Sequence, residues 1–316
     1  MDPKIFSKVK EHLRNIFTTE DYEGYYIDTS GAISQTEVKN PSRYDLLWSN
    51  YTWFDFFEQH VASAIPSNQL VLNCPVERIR YRKQQGDVVV SCGRQEFVAD
   101  HIVLTSSLGV LQDELIQFQP QLPSWILEGR ERMWRGFKFF IEFKTKFYPD
   151  YFVFEHAKGE EDWWDYSKYQ DVRPKENILS GYYMGTPNRK FEGMSDSEII
   201  HEILKDIDKF PGMHGSAHAS YKRHKIIHYS KDFPWIRGTY SQDCPYYAED
   251  GPQEVYEGRR LLLAGEAFPI PKCQIGWVDG AALSGLHAAE LILNHIDASI
   301  DWFSIPDNLK QEEASS

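Results

Sequence analysis

The residues best placed to do chemistry lie in one stretch, Arg259 to Asn294. Leu261 to Ala264 is a short apolar run bounded by basic residues and a glycine, which reads as a buried strand. Gly265 ends it with a freely turning backbone, and Glu266 sets a carboxylate beside that turn. After a loop with two prolines, Gly276-Trp277-Val278-Asp279-Gly280 leads into a helix with apolar residues at Ala282, Leu283, Leu286, Ala289 and Leu293. Small residues at Gly280, Ala281, Ala282, Ser284 and Gly285 leave its first turns nearly bare. A bare helix N-terminus offers unpaired N–H groups and the positive end of a dipole, which suits an anion or an electron-rich ring. Small residues at that place equally suit a helix packed closely on a sheet.

The elements that would carry such a site follow from the rest of the chain. Ile5, Val9, Leu13 and Ile16 predict an amphipathic helix over 4–17, and a connection rich in tyrosine, glycine, aspartate and serine runs from there to about Arg43. Asn50 to Ile65 reads as a helix with Phe54, Phe57, Val61, Ala62 and Ile65 on one side, stopped by Pro66. Short strands are expected at Leu70–Leu72, Val76–Tyr81, Val88–Ser91, Glu96–Val98 and His101–Leu104, with a turn at Gln85-Gly86-Asp87. Beyond the proline-marked boundary at 119–123, a helix is predicted over Trp125–Trp134. A nearly continuous apolar strand over Phe137–Phe143 then holds one lysine, Lys138. Strands at Phe152–Glu155 and Ser180–Thr186 flank an acidic, aromatic loop, Glu160 to Tyr169. Ser195, with Glu198 three residues on, starts a helix to Phe210. Basic Lys222–Lys225 leads into a turn-rich segment, Phe233 to Gly251, and the tail after Ile305 is polar.

Composition narrows the classes. The chain has 316 residues, enough for one or two domains, and its 15% aromatic content makes a ring-lined pocket easy to build. A net charge of -13 argues against nucleic acid and leans towards a cationic ligand. Cys74, Cys92, Cys244 and Cys273 are widely spaced, which suits a reducing compartment rather than a zinc site or a disulfide scaffold. No apolar run reaches membrane-spanning length and the N-terminus lacks a secretory core, so the expected compartment is cytoplasmic, with no membrane partner. His201-Glu202 is followed by Lys205, which breaks the metalloprotease pattern, and no metal site is expected. The sequence has no G-x-S-x-G, no P-loop and no G-x-G-x-x-G.

Several separated blocks together resemble the flavin-containing amine oxidases, most closely polyamine oxidases. The first block is Cys74-Pro75-Val76-Glu77-Arg78-Ile79, then Phe97 to Thr105, continuing through Ser107-Leu108-Gly109-Val110-Leu111 and Ile116 to Pro123. The second comprises Ala264-Gly265-Glu266 and Gly276-Trp277-Val278-Asp279-Gly280-Ala281. Between them, Lys138 to Tyr148 and Gly238-Thr239-Tyr240-Ser241 are similar to the family's lysine strand and its Gly-Thr-aromatic-Ser turn. The resemblance spans about residues 45 to 296 in the family's order.

That resemblance implies an α/β chain of mixed α+β type: an incomplete FAD-binding sheet domain plus a mixed-sheet substrate domain with helices. The FAD-binding domain would comprise residues 45–122 and 250–298, the substrate domain residues 1–44 and 123–249, with 299–316 as a tail. The resemblance implies FAD as cofactor, with Val76 at its adenine end and Gly265 and Glu266 at its ribityl-pyrophosphate region. Gly276 and Val278 would lie at the flavin's pyrimidine edge. Lys138 corresponds to a lysine that holds a water at the flavin, and Tyr240 and Trp277 to the aromatics flanking the amine. The implied reaction removes a hydride from the carbon beside an amine nitrogen of a small cationic, polyamine-like substrate. Lys138 also fits a strand-edge lysine reaching solvent, and Trp277 a core residue. The departure is the absent glycine fingerprint. Three readings stay open: a partner chain supplies that half, the chain is a non-catalytic relative serving as an interaction or structural subunit, or FAD binds weakly through the half present. An uncovered sheet edge makes a partner chain or a homo-oligomer the expectation.

Overall fold

A computed structural model describes residues 22–27, 33–38, 53–127, 133–154, 159–169, 176–242, 252–270 and 275–298. In chain order its elements are β1 (Tyr22–Ile27), β2 (Ile33–Val38), α1 (Trp53–His60), β3 (Arg78–Arg82), β4 (Asp87–Cys92), β5 (Gln95–Ala99), β6 (Ile102–Leu104), α2 (Leu108–Gln112), β7 (Gln117–Gln119) and α3 (Ser124–Leu127). They continue with β8 (Gly136–Phe143), β9 (Tyr151–Phe154), β10 (Gly159–Asp165), β11 (Asn177–Gly185), α4 (Asp196–Asp208), α5 (Ser216–Ser220), β12 (Tyr221–His228), β13 (Gln253–Tyr256), β14 (Leu261–Leu263) and α6 (Val278–Ile296). The fold is mixed α/β, as the sequence implied. The chain divides into two compact units, residues 1–70 with 137–227, and 71–136 with 228–316.

The first unit is built on a seven-stranded mixed sheet of order β12-β8-β11-β10-β9-β1-β2. Strand β8 shows why its residues make a sheet with one dry face. Phe137, Phe139, Ile141 and Phe143 alternate into the core and are almost fully buried, while Lys138 and Phe140 point to the other face. Helix α4 supplies Ile199, Ile200, Ile203, Leu204 and Ile207 to the same core. Its start is fixed as the sequence predicts: Ser195 accepts from the Glu198 N–H while the Glu198 carboxylate accepts from the Ser195 N–H, a reciprocal cap. Gly181 must be glycine, since a Cβ there would stand 2.5 Å from Trp163 and 2.6 Å from Phe139. Buried Glu142 on β8 is held by Lys222 and Arg223 of the neighbouring β12.

The second unit holds two smaller sheets. One is β5-β4-β3-β7, antiparallel except for the parallel pair β3–β7. The other is β13-β14-β6, where β14 pairs antiparallel with β13 and parallel with β6. The three leucines of β14 are completely buried, as an apolar run in a central strand requires. Helix α6 lies against this sheet: Ala288, Leu291 and Ile292 pack with Leu262, Ala264 and Val103. Asp113 receives Arg135 at 2.5 Å and Arg237 at 2.7 Å, tying α2 to two later segments.

Several expectations are corrected. The tyrosine-rich connection contains the hairpin β1–β2, because aromatic side chains favour a strand wherever a neighbour supplies hydrogen bonds. Leu70–Leu72 forms no strand and is exposed. The β3 strand starts at Arg78, so Val76 precedes it. The acidic stretch from Glu160 is mostly strand β10, whose Trp163 is buried while Trp164 is only half-buried. The basic run Lys222–Lys225 lies within strand β12. Helix α1 covers only Trp53–His60 of the helix expected over 50–65, leaving Val61, Ala62 and Ile65 outside it, and Phe54 on it is 72% exposed. Cys74 and Cys92 form a disulfide with Cα atoms 5.5 Å apart, against the reading of cysteines without a disulfide. The pairing of Glu77 with Ser91 beside β3 and β4 brings them together across eighteen residues. The helix expected over 4–17, Cys244, Cys273 and the tail lie outside the described residues. Among the described residues, no helix is long and apolar enough to cross a membrane.

Candidate functional site

In the second unit, the buried strand β14 delivers the chain to Gly265, whose φ of +124° is open to glycine and strained for any other residue. The Gly265 N–H donates to Ser284 Oγ of α6 at 3.2 Å, and that hydroxyl donates to the Phe268 carbonyl at 2.6 Å. Buried Ser284 thus fastens the end of the strand to the helix, which explains a small polar residue on an otherwise apolar face. Helix α6 begins at Val278, and Trp277 caps none of its first N–H groups through a side chain. Trp277 is 60% and Val278 53% exposed, so this helix start faces open space rather than a packed core.

Glu266 turns its carboxylate towards the Gly238–Ser241 turn. One oxygen accepts from the Ser241 N–H at 3.1 Å and the other from the Ser241 hydroxyl at 2.8 Å. The Glu266 carbonyl accepts from the Gly276 N–H at 3.2 Å. Burial pushes the Glu266 carboxyl above its ordinary value, and the donors of Ser241 and Gly276 pull it partway back. Gly276 has φ of +81°, and a Cβ there would lie 3.1 Å from the Ser241 carbonyl and 3.4 Å from the Tyr240 ring. The Tyr240 turn and the start of the Trp277 segment are therefore immediate neighbours. Behind them, the Tyr240 ring tilts against Trp134 at 5.5 Å, and the Trp134 N–H donates to the Tyr240 carbonyl. Gly238 sits where a Cβ would meet Met133 at 2.5 Å.

In the first unit, Lys138 stands on the face of β8 opposite the core. Its Nζ lies 4.9 Å from the centroid of Trp164 and 5.8 Å from that of Phe140. Burial pulls its ammonium below the ordinary value. Trp164 in turn meets Tyr182 at 5.5 Å, and the Tyr182 hydroxyl donates to Asp162 at 2.9 Å. This face combines aromatic rings, a desolvated amine and a carboxylate.

Of the residues singled out from sequence, Tyr240, Gly265, Glu266, Gly276, Trp277 and Val278 belong to one strand–turn–helix neighbourhood. Val76 is half-buried and packs with Ile79 and Val88 in the core under β3 and β4. Lys138 belongs to the other unit. Sequence reasoning does not mark Ser241 and Trp164 as functional partners. Ser241 is visible there only as the last residue of a turn motif, and Trp164 lies in a stretch that reads as a loop. Among the described residues, no group of three or more metal-ligating side chains comes together.

A buried strand ending in Gly-Glu is followed by a helix whose exposed N-terminus has no side-chain cap, and both lie within a match to a known family. The chain belongs to the flavin containing amine oxidoreductases, whose family profile matches residues 55–293. The cofactor that this membership brings is FAD. Among its relatives, polyamine oxidase 1 of Zea mays is 28% identical over 252 residues, covering 72% of this chain and 45% of the relative. Polyamine oxidase 6 of Oryza sativa is 30% identical over 242 residues, covering 73% and 47%. In fold the chain is similar to the cyclohexylamine oxidase of Brevibacterium oxydans, with a TM-score of 0.57 at 19% identity over 77% of this chain and 53% of that one. The chain spans about half the length of the curated relatives it matches.

Proposed function

We propose that this chain serves the FAD-dependent oxidation of a small cationic, polyamine-like amine, together with a partner that supplies the phosphate-binding half of the cofactor site. The observation that carries this reading is the uncapped, exposed start of α6 beside the Gly265–Glu266 turn, within a family match that spans both. Those residues fit the ring end of FAD. Backbone N–H groups of Val278 and its neighbours would meet the electron-rich edge, and the helix dipole favours negative charge there. Gly265, with open space around its α-carbon apart from the Thr105 carbonyl at 4.0 Å, leaves room for close approach. No G-x-G-x-x-G occurs within residues 1–316, so in this reading the pyrophosphate end is held from outside them.

When bound, FAD supplies the redox chemistry by accepting a hydride. The chain's own residues bind and orient. Tyr240 and Trp277 offer ring faces that hold a cationic amine and exclude water from its reacting carbon. By the family resemblance, Lys138, whose ammonium burial pulls below its ordinary value, is the residue that would hold a water. The acidic balance of -13 favours approach of a polycation. The names of the relatives, polyamine oxidases, support the same substrate class.

A second reading rests on the absent glycine fingerprint: the chain is a non-catalytic subunit of the same fold. One experiment separates them. The purified chain is titrated with FAD and inspected for the yellow flavin spectrum, alone and after co-purification from its source. Flavin uptake, alone or with a glycine-rich companion, supports the oxidase reading. A folded, monodisperse protein that stays colourless under both conditions favours the subunit reading.

A further inference from the structure

We propose that His201 and His218 form a two-histidine site for a divalent transition ion of the zinc class on the exposed surface of the first unit, with Asp208 setting the ring of His218. The site uses no residue assigned above to flavin or amine, and it stands whether or not the chain is an oxidase.

The two rings come from different helices, and the core fixes the backbone of each. His201 is exposed on α4 among Ile199, Ile200, Ile203 and Leu204, all of them buried. His218 is exposed on α5 and directly follows Ala217, which is completely buried. Polar contacts then set the rings. Asp208, the last residue of α4, accepts from the Ala217 N–H through Oδ1 at 2.8 Å, and its Oδ2 stands 2.6 Å from His218 Nδ1. An ionised carboxylate only accepts, so Nδ1 carries a proton and, in the neutral ring, Nε2 keeps a lone pair. That Nε2 faces His201 Nδ1 at 3.4 Å, with the ring planes at 82°.

Two nitrogens at about 2.0–2.1 Å from one tetrahedral ion stand about 3.3–3.4 Å apart. The two imidazoles already have that separation. At this length the direct ring-to-ring hydrogen bond is a weak one, so little is lost when an ion replaces it. A small turn of each exposed ring aims both lone pairs at one point, and water can complete the coordination. Asp208 stands behind His218, as a carboxylate does when it fixes the tautomer and orientation of a metal-bound imidazole. Two protein ligands converge rather than three, consistent with the absence of a larger metal-ligating group among the described residues. Imidazole nitrogens suit zinc, whereas magnesium and calcium prefer oxygen.

The test titrates zinc chloride into the full chain by calorimetry, in a buffer that does not chelate and with free thiols alkylated. Zinc should bind, and magnesium at the same concentration should give no heat. His201→Ala and His218→Ala should each weaken zinc at least tenfold, and Asp208→Asn about tenfold by loosening the His218 ring. His214→Ala should bind as the wild type does, since His214 Nδ1 contacts the Asp208 carbonyl and not the ring pair. A thermal melt gives a second readout. Zinc should raise the melting temperature of the wild type and leave that of the His201→Ala, His218→Ala double variant where it is. Both histidines are exposed, so the variants keep the fold, which circular dichroism checks. Equal zinc affinity in the wild type and the double variant, or no binding by the wild type at millimolar zinc, would overturn the site. Full affinity in Asp208→Asn would overturn the positioning role of Asp208.

Discussion

Lys138 and Trp164 meet on the face of the seven-stranded sheet opposite the β8 core residues, with the lysine Nζ 4.9 Å from the indole centroid. Among the described residues this ammonium has no carboxylate partner, so the ring quadrupole is its main compensation for burial. A lone desolvated lysine is costly to keep unless it has a task. Lys138→Met is therefore expected to leave the melting temperature unchanged or higher while slowing amine-driven flavin reduction at least tenfold in a flavin-loaded preparation. Stopped-flow absorbance and a thermal melt on the same sample separate the two effects.

The same lysine gives a signed pH dependence. Its folded pKa lies below the ordinary 10.5, so the unfolded chain holds the proton more tightly. Its destabilising contribution is full at low pH and is relieved as pH rises from the depressed value towards 10.5. Stability of the wild type relative to Lys138→Met should rise over that interval. Urea midpoints of both proteins at neutral and alkaline pH test this.

Asp113 has the opposite sign. Burial alone would raise its pKa, but hydrogen bonds from Arg135 and Arg237 outweigh that and hold it below 3.8. The stability it contributes is present above 3.8 and is lost as pH falls through the lowered value. Asp113→Asn is expected to cost about 1–2 kcal/mol near neutral pH, allowing for the partly exposed arginines. The difference should vanish under acid, as read from denaturant midpoints.

The Cys74–Cys92 bond closes a loop of sequence separation 18. By chain entropy a bond of that span contributes about 3 kcal/mol. A reducing agent, or Cys74→Ser, should lower the melting temperature. Mass analysis after alkylation without reduction should show both thiols protected in the wild type.

Gly181 is a tightly packed position in the first unit. A methyl group there would collide with Trp163 and Phe139 at the centre of the core. Gly181→Ala should destabilise by about 3 kcal/mol, since neither ring has room to move. Near-ultraviolet circular dichroism should lose intensity in step.

Local patterns are enough to read the frame of this molecule. Alternation in Phe137–Phe143, the Ser195–Glu198 cap and the leucine run into Gly265-Glu266 each specify their element through side-chain period and capping chemistry, and all three form. The family motifs, spread over most of residues 55–293, can likewise be read in order without coordinates. What sequence cannot decide is partnership. Whether Trp163 or Trp164 faces the core depends on the register of β10 against β9 and β11, which shifts a side chain from one face to the other. That Cys74 reaches Cys92 depends on the β3–β4 pairing, and that Glu266 grips Ser241 depends on a turn 25 residues away folding back onto the strand end. Such contacts arise from sheet register and chain reversal. The family resemblance nominates Glu266 and Tyr240 as chemistry; only the packed structure brings them together through Ser241.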